Sequence, residues 1–439
     1  MGTYLFVVRY RLHMANRTVT RTVRARIANQ SAVRDDLDSL GFAASKLWNV
    51  ARWTTERIWS ETGHIPGHAE LSAYLKKHER YADLHSQSSQ RVIQELAEAF
   101  KSWYGHRQNG DQNANPPGYR KHGDEHPRST VTFKQAGFKH DAEYNRVRLS
   151  KGRNLKKSAY AHDFVLCDYE VTGPSGTTVE NVQQVRAVHE HGEWRLHFVC
   201  RVEIDRPESP GDQTAGIDLG ICNVAAVSFG DEALLYPGGA LKEDEYYFAK
   251  ERAKHDDTAC REAQRLDQKR TDRRTHFLHA LSKHIVSECV DRGVGTIAVG
   301  DLGGIRRDED GDAKNWGSHG NLDLHGWAFD RFTAMLEYKA EERGITVEQV
   351  DERGTSKTCS VCGAENDSQR VERGLYDCTC GLVANADVNG AENIRKKVPP
   401  SLAPDGGDRS TGWLAQPAVY LFDKSTGQVA PQERVVGEP

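Results

Sequence analysis

Four cysteines in two close pairs carry the clearest chemistry in this sequence. Cys359/Cys362 and Cys378/Cys380 lie within GTSKTCSVCGAENDSQRVERGLYDCTCGLVANADVNGAENI (residues 354–394), and a glycine, Gly363 or Gly381, trails each pair. Zinc takes four thiolates in a tetrahedron, and two tight turns can each offer two, so the layout reads as a zinc ribbon. The glycines let backbone N–H groups turn toward the sulfurs. The first pair has C-x-x-C spacing and the second, C-x-C, is one residue short. Residues i and i+2 of an extended chain point to the same side, so the short pair can still chelate. The competing reading is four unrelated buried cysteines or a disulfide pair. Four of the nine cysteines in so short a window favour zinc.

Three carboxylates form a second candidate set. Asp218 sits inside the apolar strand pattern of Gly216-Ile217-Asp218-Leu219-Gly220, where a lone charge is costly to bury unless paired or bound to a metal. Glycines on both sides allow close approach of another backbone or a ligand. Asp301 closes the apolar strand Thr296–Val299, and Asp387 opens a helix that runs to Arg395. Carboxylates gathered from separate elements can hold two Mg²⁺ ions, which activate water and stabilise the leaving oxygen in phosphodiester hydrolysis. The plainer reading is that each Asp merely caps the end of its strand or helix.

The elements around these residues change character along the chain. Val19 to Ile27 alternates as a strand with Arg24 and Arg26 on the polar face. From Ser31 to Trp103 the pattern is helical, with Leu37, Leu40, Ala44 and Leu47 on one face and Val92, Leu96, Ala99 and Trp103 on another. Trp48, Trp53, Trp59 and Trp103 read as helix-packing core. A polar Gly/Pro-rich loop follows, carrying Tyr119, Arg120 and Lys121, an aromatic beside bases that could grip a nucleic-acid backbone. Strands return from Thr130 to Ile204, with a hairpin across Gly192, and Glu208–Ala215 is a linker. Beyond it, strands alternate with helices over 243–292 and 324–343 and a strand over Ile345–Val350, an α/β pattern.

At 439 residues the chain exceeds one ordinary core. No apolar run is long enough to cross a membrane, which excludes a helical membrane protein. The N-terminus lacks the features of a secretory signal, and the scattered cysteines Cys167, Cys200, Cys222, Cys260 and Cys289 suit a reducing cytoplasm. The formal net charge of −4 means that any nucleic-acid contact must come from a local basic groove rather than from overall charge.

GIDLG, the strand ending in Asp301-Leu302, TSKTCSVCG, YDCTCG and NADVNGAENI together resemble the C-terminal half of the TnpB (OrfB) family of insertion-sequence proteins, relatives of type V CRISPR effectors. SQRVIQELAEAFKSWY, PPGYRKH and TFKQAGFK resemble its N-terminal segments. The resemblance implies a multidomain α+β and α/β chain. A β-rich wedge-like domain (1–30 and 125–207) would be interrupted by a helical recognition domain (31–124). An RNase H-like (RuvC-type) nuclease domain (208–354 and 383–400) would enclose the zinc ribbon (355–382), ahead of a C-terminal tail (401–439). It implies guide RNA and target DNA as partners beside an element-encoded transposase, structural Zn²⁺ on the four cysteines, and Mg²⁺ on Asp218, Asp301 and Asp387. DNA-strand joining by the chain itself is the less favoured activity.

Three positions depart from the family pattern. Gly300 stands where a glutamate normally precedes the Asp-Leu pair, Ala386 replaces an arginine before the third Asp, and the second cysteine pair is short. Asp301 can serve for the missing glutamate only if the strand end twists or bulges, because side chains alternate across a strand. Asp308, Glu309, Asp310 and Asp312 follow just downstream. Two activities therefore stand open: an RNA-guided DNA endonuclease, and a nuclease-dead RNA-guided DNA binder.

Overall fold

The computed structural model describes residues 17–111, 113–120, 128–156, 162–173, 177–204, 207–256, 260–301, 329–365, 370–372, 374–398 and 412–432. Lys121 and the downstream acids 308–312 lie outside them. The described residues fall into two compact units, one spanning Arg17–Ile204 and the other beginning at 207.

The first unit starts with β1 (Arg17–Ile27), whose alternation buries Ala25 and Ile27 and exposes Arg24 and Arg26. Helices α1 (Gln30–Thr62), α2 (His68–Leu75) and α3 (Ser86–Gln108) follow. Six more strands complete it: β2 (Val131–Lys134), β3 (Phe138–Asp141), β4 (Arg146–Ser150), β5 (Phe164–Thr172), β6 (Val182–Glu190) and β7 (Glu193–Ile204). They form one antiparallel sheet in the order β2-β6-β7-β1-β5-β4-β3. His191 and Gly192, both at positive φ, make the two-residue turn that the β6–β7 hairpin twist requires. Leu37, Leu40 and Leu47 of α1 and Leu96 and Phe100 of α3 share one core with Phe133, Trp194 and Phe198 of the sheet. Trp48 is buried there, and Trp59 and Trp103 meet edge to face at 5.2 Å. Trp53 corrects the sequence expectation: it faces outward, 52% exposed beneath the Arg57 guanidinium, because its helix position points away from the sheet.

The second unit contains β8 (Gln213–Leu219), β9 (Asn223–Ser228), β10 (Ala233–Pro237), α4 (Gly239–Arg252), α5 (Arg261–Asp291), β11 (Val294–Asp301), α6 (Phe329–Glu341) and β12 (Thr346–Asp351). Three short strands, β13 (Arg370–Glu372), β14 (Leu375–Asp377) and β15 (Val383–Asn385), form a small antiparallel sheet ahead of α7 (Ala386–Arg395). The segment expected to be a tail instead adds α8 (Gly412–Ala415) and the hairpin β16 (Ala418–Asp423)/β17 (Gln428–Pro431). That hairpin joins the main sheet beside β10, giving the order β12-β11-β8-β9-β10-β16-β17, with β12, β11 and β8 parallel.

Strand alternation sorts the main sheet into two faces. Ile217, Leu219, Ile297 and Val299 pack on Leu281 and Ile285 of α5 and Phe332 and Leu336 of α6. Ala298 and Val350 pack on Ile394 of α7, on the opposite face. Gly216 lies on the α7 face as well, and a Cβ there would sit 2.1 Å from the Ala391 carbonyl oxygen. Glycine at 216 is thus what lets α7 lie directly on β8. Among the described residues, no helix is long and apolar enough to cross a membrane. Gly216→Ala should destabilise the folded chain by about 2–3 kcal/mol through overpacking, read as a lower urea midpoint. An unchanged midpoint would contradict this packing.

Candidate functional site

The four cysteines meet. Their sulfurs all lie within 4.8 Å of one another, with Cys359–Cys380 at 3.7 Å and Cys362–Cys378 at 3.6 Å. These spacings are far too long for a disulfide and close to the ~3.8 Å edge of a tetrahedron with zinc–sulfur bonds of ~2.3 Å. The backbone N–H groups of Val361 and Cys362 turn toward the Cys359 sulfur, that of Cys380 toward Cys378 and that of Leu382 toward Cys380. Such donors favour thiolates. Gly363 and Gly381, at φ +75° and +95°, close the two turns by donating to the carbonyls of Cys359 and Cys378. The short second pair presents its sulfurs from this turn and not from an extended strand, a correction to the sequence argument. The donor set therefore fits a single tetrahedral, thiolate-binding metal ion.

The first cysteine turn is tied to α7. The Asn389 side chain, fully buried, donates to the Thr358 carbonyl at 2.9 Å and accepts from the Ser360 N–H at 2.9 Å. Asn393 donates to the carbonyls of Thr355 and Thr358 at 2.8 and 2.7 Å, and the Lys396 ammonium reaches the Ser360 carbonyl. Further along α7, Glu392 is buried yet held below the ordinary carboxylate range. Burial pushes its carboxyl up, but Arg395 and the Ser228 hydroxyl at 2.6 Å outweigh it.

The same helix carries Asp387. The Asn385 side chain caps it, accepting from the N–H groups of Asp387 and Val388. A carboxylate in this first turn also suits the helix dipole. The Asn223 amide, at the start of β9, donates to Asp387 at 2.7 Å. Asp218, half-buried near the end of β8, lays its carboxylate against Gly390, where a Cβ would sit 2.6 Å from its oxygen. Asp387 and Gly390 are three residues apart and share a helix face. Asp218 and Asp387 therefore border the same stretch of α7.

Asp301 does not join them from that side. Strand alternation places it with Val299 and Leu219, and it lines a cavity of about 270 Å³ with Leu219, Phe329, Thr333 and Glu337 on the α6 face. The strand end keeps its register, with Asp301 beside Asp351. The α7 face at this point holds Gly300, and a different acid covers it. A Cβ on Gly300 would meet a Glu352 carboxylate oxygen at 2.8 Å and Ile394 at 3.0 Å. Burial first, then the negative charges of Asp301 and Asp351, push Glu352 up to about 7, with Lys397 opposing. Glu352 and Asn223 escaped the sequence reading. The signal for Glu352 was there in the alternation, since it stands two residues beyond Val350 and so on the same face.

The basic loop is committed internally. Arg120 stacks on the Trp48 ring at 3.9 Å and faces Glu95, and the Tyr119 hydroxyl donates to Glu56 at 2.8 Å.

Known proteins match this organisation. A family model described as a probable transposase (OrfB_IS605) covers residues 197–306, and one described as a Cas12f1-like TNB domain covers 329–394. The TnpB-like protein ORF457 of Acidianus two-tailed virus is 27% identical over 436 residues, 88% of each chain. The CRISPR-associated endodeoxyribonuclease Cas12f1 of Sulfoacidibacillus thermotolerans is 36% identical over 117 residues, 26% of this chain and 25% of that one. "Putative RNA-guided DNA endonuclease InsQ" of Escherichia coli (strain K12) is 26% identical over 327 residues, 71% of this chain and 74% of that one. Residues 197–306 thus match an OrfB-type model and residues 329–394 a TNB module. Along most of its length the chain is similar to a TnpB-like protein.

Metal analysis of the purified chain should find about one zinc per chain, and chelation should speed amide exchange across Ala386–Arg395, because the cysteine turn anchors that helix. Absence of zinc would contradict the knuckle. Glu352 binds its proton more tightly folded than unfolded, so it removes stability as pH rises from the ordinary carboxylate range through about 7. In Mg²⁺-free buffer, Glu352→Gln should therefore melt higher than the parent at pH 8, by roughly 1 kcal/mol once partial exposure is allowed for, and equally near pH 4. A pH-independent difference would contradict this.

Proposed function

We propose that this chain is an RNA-guided DNA endonuclease of a transposable element, hydrolysing phosphodiester bonds with Mg²⁺ in a RuvC-type, RNase H-like site. One observation carries the reading: Asp218 and Asp387, 169 positions apart in the chain, border the same stretch of α7 across a mixed sheet. The two family models and the endonuclease names of Cas12f1 and InsQ support it. In this reading Asp218 and Asp387 hold the cation, with Asp301 the third acid expected from sequence. Bound there, Mg²⁺ would polarise the scissile phosphate and lower the pKa of coordinated water. Asn223 fixes the Asp387 carboxylate, and α7, pinned by a structural zinc on Cys359, Cys362, Cys378 and Cys380, sets its distance from Asp218.

The partners are a guide RNA and the target DNA it pairs with. The residues before the linker serve as the wedge (1–30, 125–207) and recognition helices (31–124), and 208–354 with 383–400 as the nuclease domain around the ribbon (355–382). A second reading, guide-dependent binding without cutting, is favoured by Gly300 alone, which leaves the usual glutamate position without a carboxylate.

Purified ribonucleoprotein with Mg²⁺ should cut a guide-matched plasmid, and Asp218→Ala should slow cutting by at least about 100-fold. Tight guide-dependent binding with no cutting above the Asp218→Ala background would select the second reading.

A further inference from the structure

We propose that Glu352 supplies the third carboxylate of the cation site, taking the place that Gly300 leaves open. The inference rests on reading Asp218 and Asp387 as a divalent-cation centre.

Register carries the first part. β8 and β11 pair Val299 with Ile217, so one residue further Gly300 lies beside Asp218. β11 and β12 pair Gly300 with Val350. The three parallel strands thus present Asp218, Gly300 and Val350 in one row, all on the α7 face. Glu352 follows Val350 by two residues and emerges on that face just past the strand end.

Contact carries the second part. Glu352 does not run on toward solvent. Its side chain folds back over β11, with its Cβ 3.3 Å and a carboxylate oxygen 2.8 Å from where a Cβ of residue 300 would stand. The carboxylate occupies the space that a side chain at 300 would fill. Adjacent strands lie about 4.8 Å apart, so the position at Gly300 that it fills is one strand over from Asp218, a separation that one shared cation can span. Ile394 closes the other side of this space at 3.0 Å.

Glycine at 300 and glutamate at 352 are then two halves of one arrangement. A glutamate at 300 would collide with Glu352, and a glycine at 300 alone would leave a gap beside Asp218. Asp301 and Asp351 are paired on the neighbouring register position and belong to the other face. The Asp351 carboxylate accepts from the Arg353 N–H at 3.0 Å.

Mn²⁺ titration of the purified full-length chain, followed by electron paramagnetic resonance of free Mn²⁺, tests this directly. Zinc content and melting temperature confirm that each variant is folded. Asp218→Asn and Glu352→Gln should each weaken Mn²⁺ binding by about 10-fold, and Asp301→Asn should leave it within about twofold. Gly300→Glu combined with Glu352→Ala should restore binding, because the new carboxylate enters the vacated space. Cleavage by the ribonucleoprotein should follow the same order. Binding that is lost in Asp218→Asn but intact in Glu352→Gln overturns the role of Glu352 and leaves the cation centre standing. So does binding lost in Asp301→Asn alone. A parent chain whose Mn²⁺ affinity does not depend on Asp218 overturns the centre itself.

Discussion

Everything at the candidate centre depends on α7 lying directly on β8. Two glycines make this contact, Gly216 on the strand under the Ala391 carbonyl and Gly390 on the helix against the Asp218 carboxylate. With no side chain at either position, helix and strand backbones approach more closely than ordinary packing allows. The approach fixes Asp218 against the helix that bears Asp387. It is reinforced from beneath by the buried Glu392–Arg395 pair and Ser228. Removing one member of such a pair would strand a buried charge, so it locks the helix in place more than it stabilises the chain.

The cysteine knuckle acts on the same helix from its other side. Asn389, Asn393 and Lys396 all hold backbone carbonyls of the residues around Cys359. A metal bound by the four sulfurs would order those carbonyls, and they in turn would fix the rotation of α7 about its axis. The knuckle therefore reaches the carboxylates mechanically, through hydrogen bonds, without contributing a ligand to them. This gives a physical reason for a metal ribbon to sit between β12 and α7.

Much of this was legible in sequence. The cysteine pairs announced themselves by spacing, and Asp218 by its charge within an apolar run between glycines. β11 and α7 were visible as well. Three features were hidden, each for a physical reason. Glu352 follows Asp351 at the end of TVEQVD, a strand with few apolar residues; alternation puts it on the Val350 face, but only pairing with β11 brings that face beside Gly300. The β16–β17 hairpin pairs with β10, about 180 residues earlier, a contact no local pattern encodes. Trp53 lies among tryptophans that do pack inward, and helical periodicity alone does not distinguish it. The departure at Gly300, by contrast, was plain in sequence, but its partner was found only through the register of three strands.

The central claim is that Asp218, Asp387 and Glu352 form one cation site on the α7 face of the sheet. Anomalous diffraction from crystals of the chain grown with Mn²⁺ addresses it most directly. The account predicts a peak about 2–2.3 Å from oxygens of all three carboxylates. A peak held by Asp301 on the α6 face, or none beside Asp218, would contradict it.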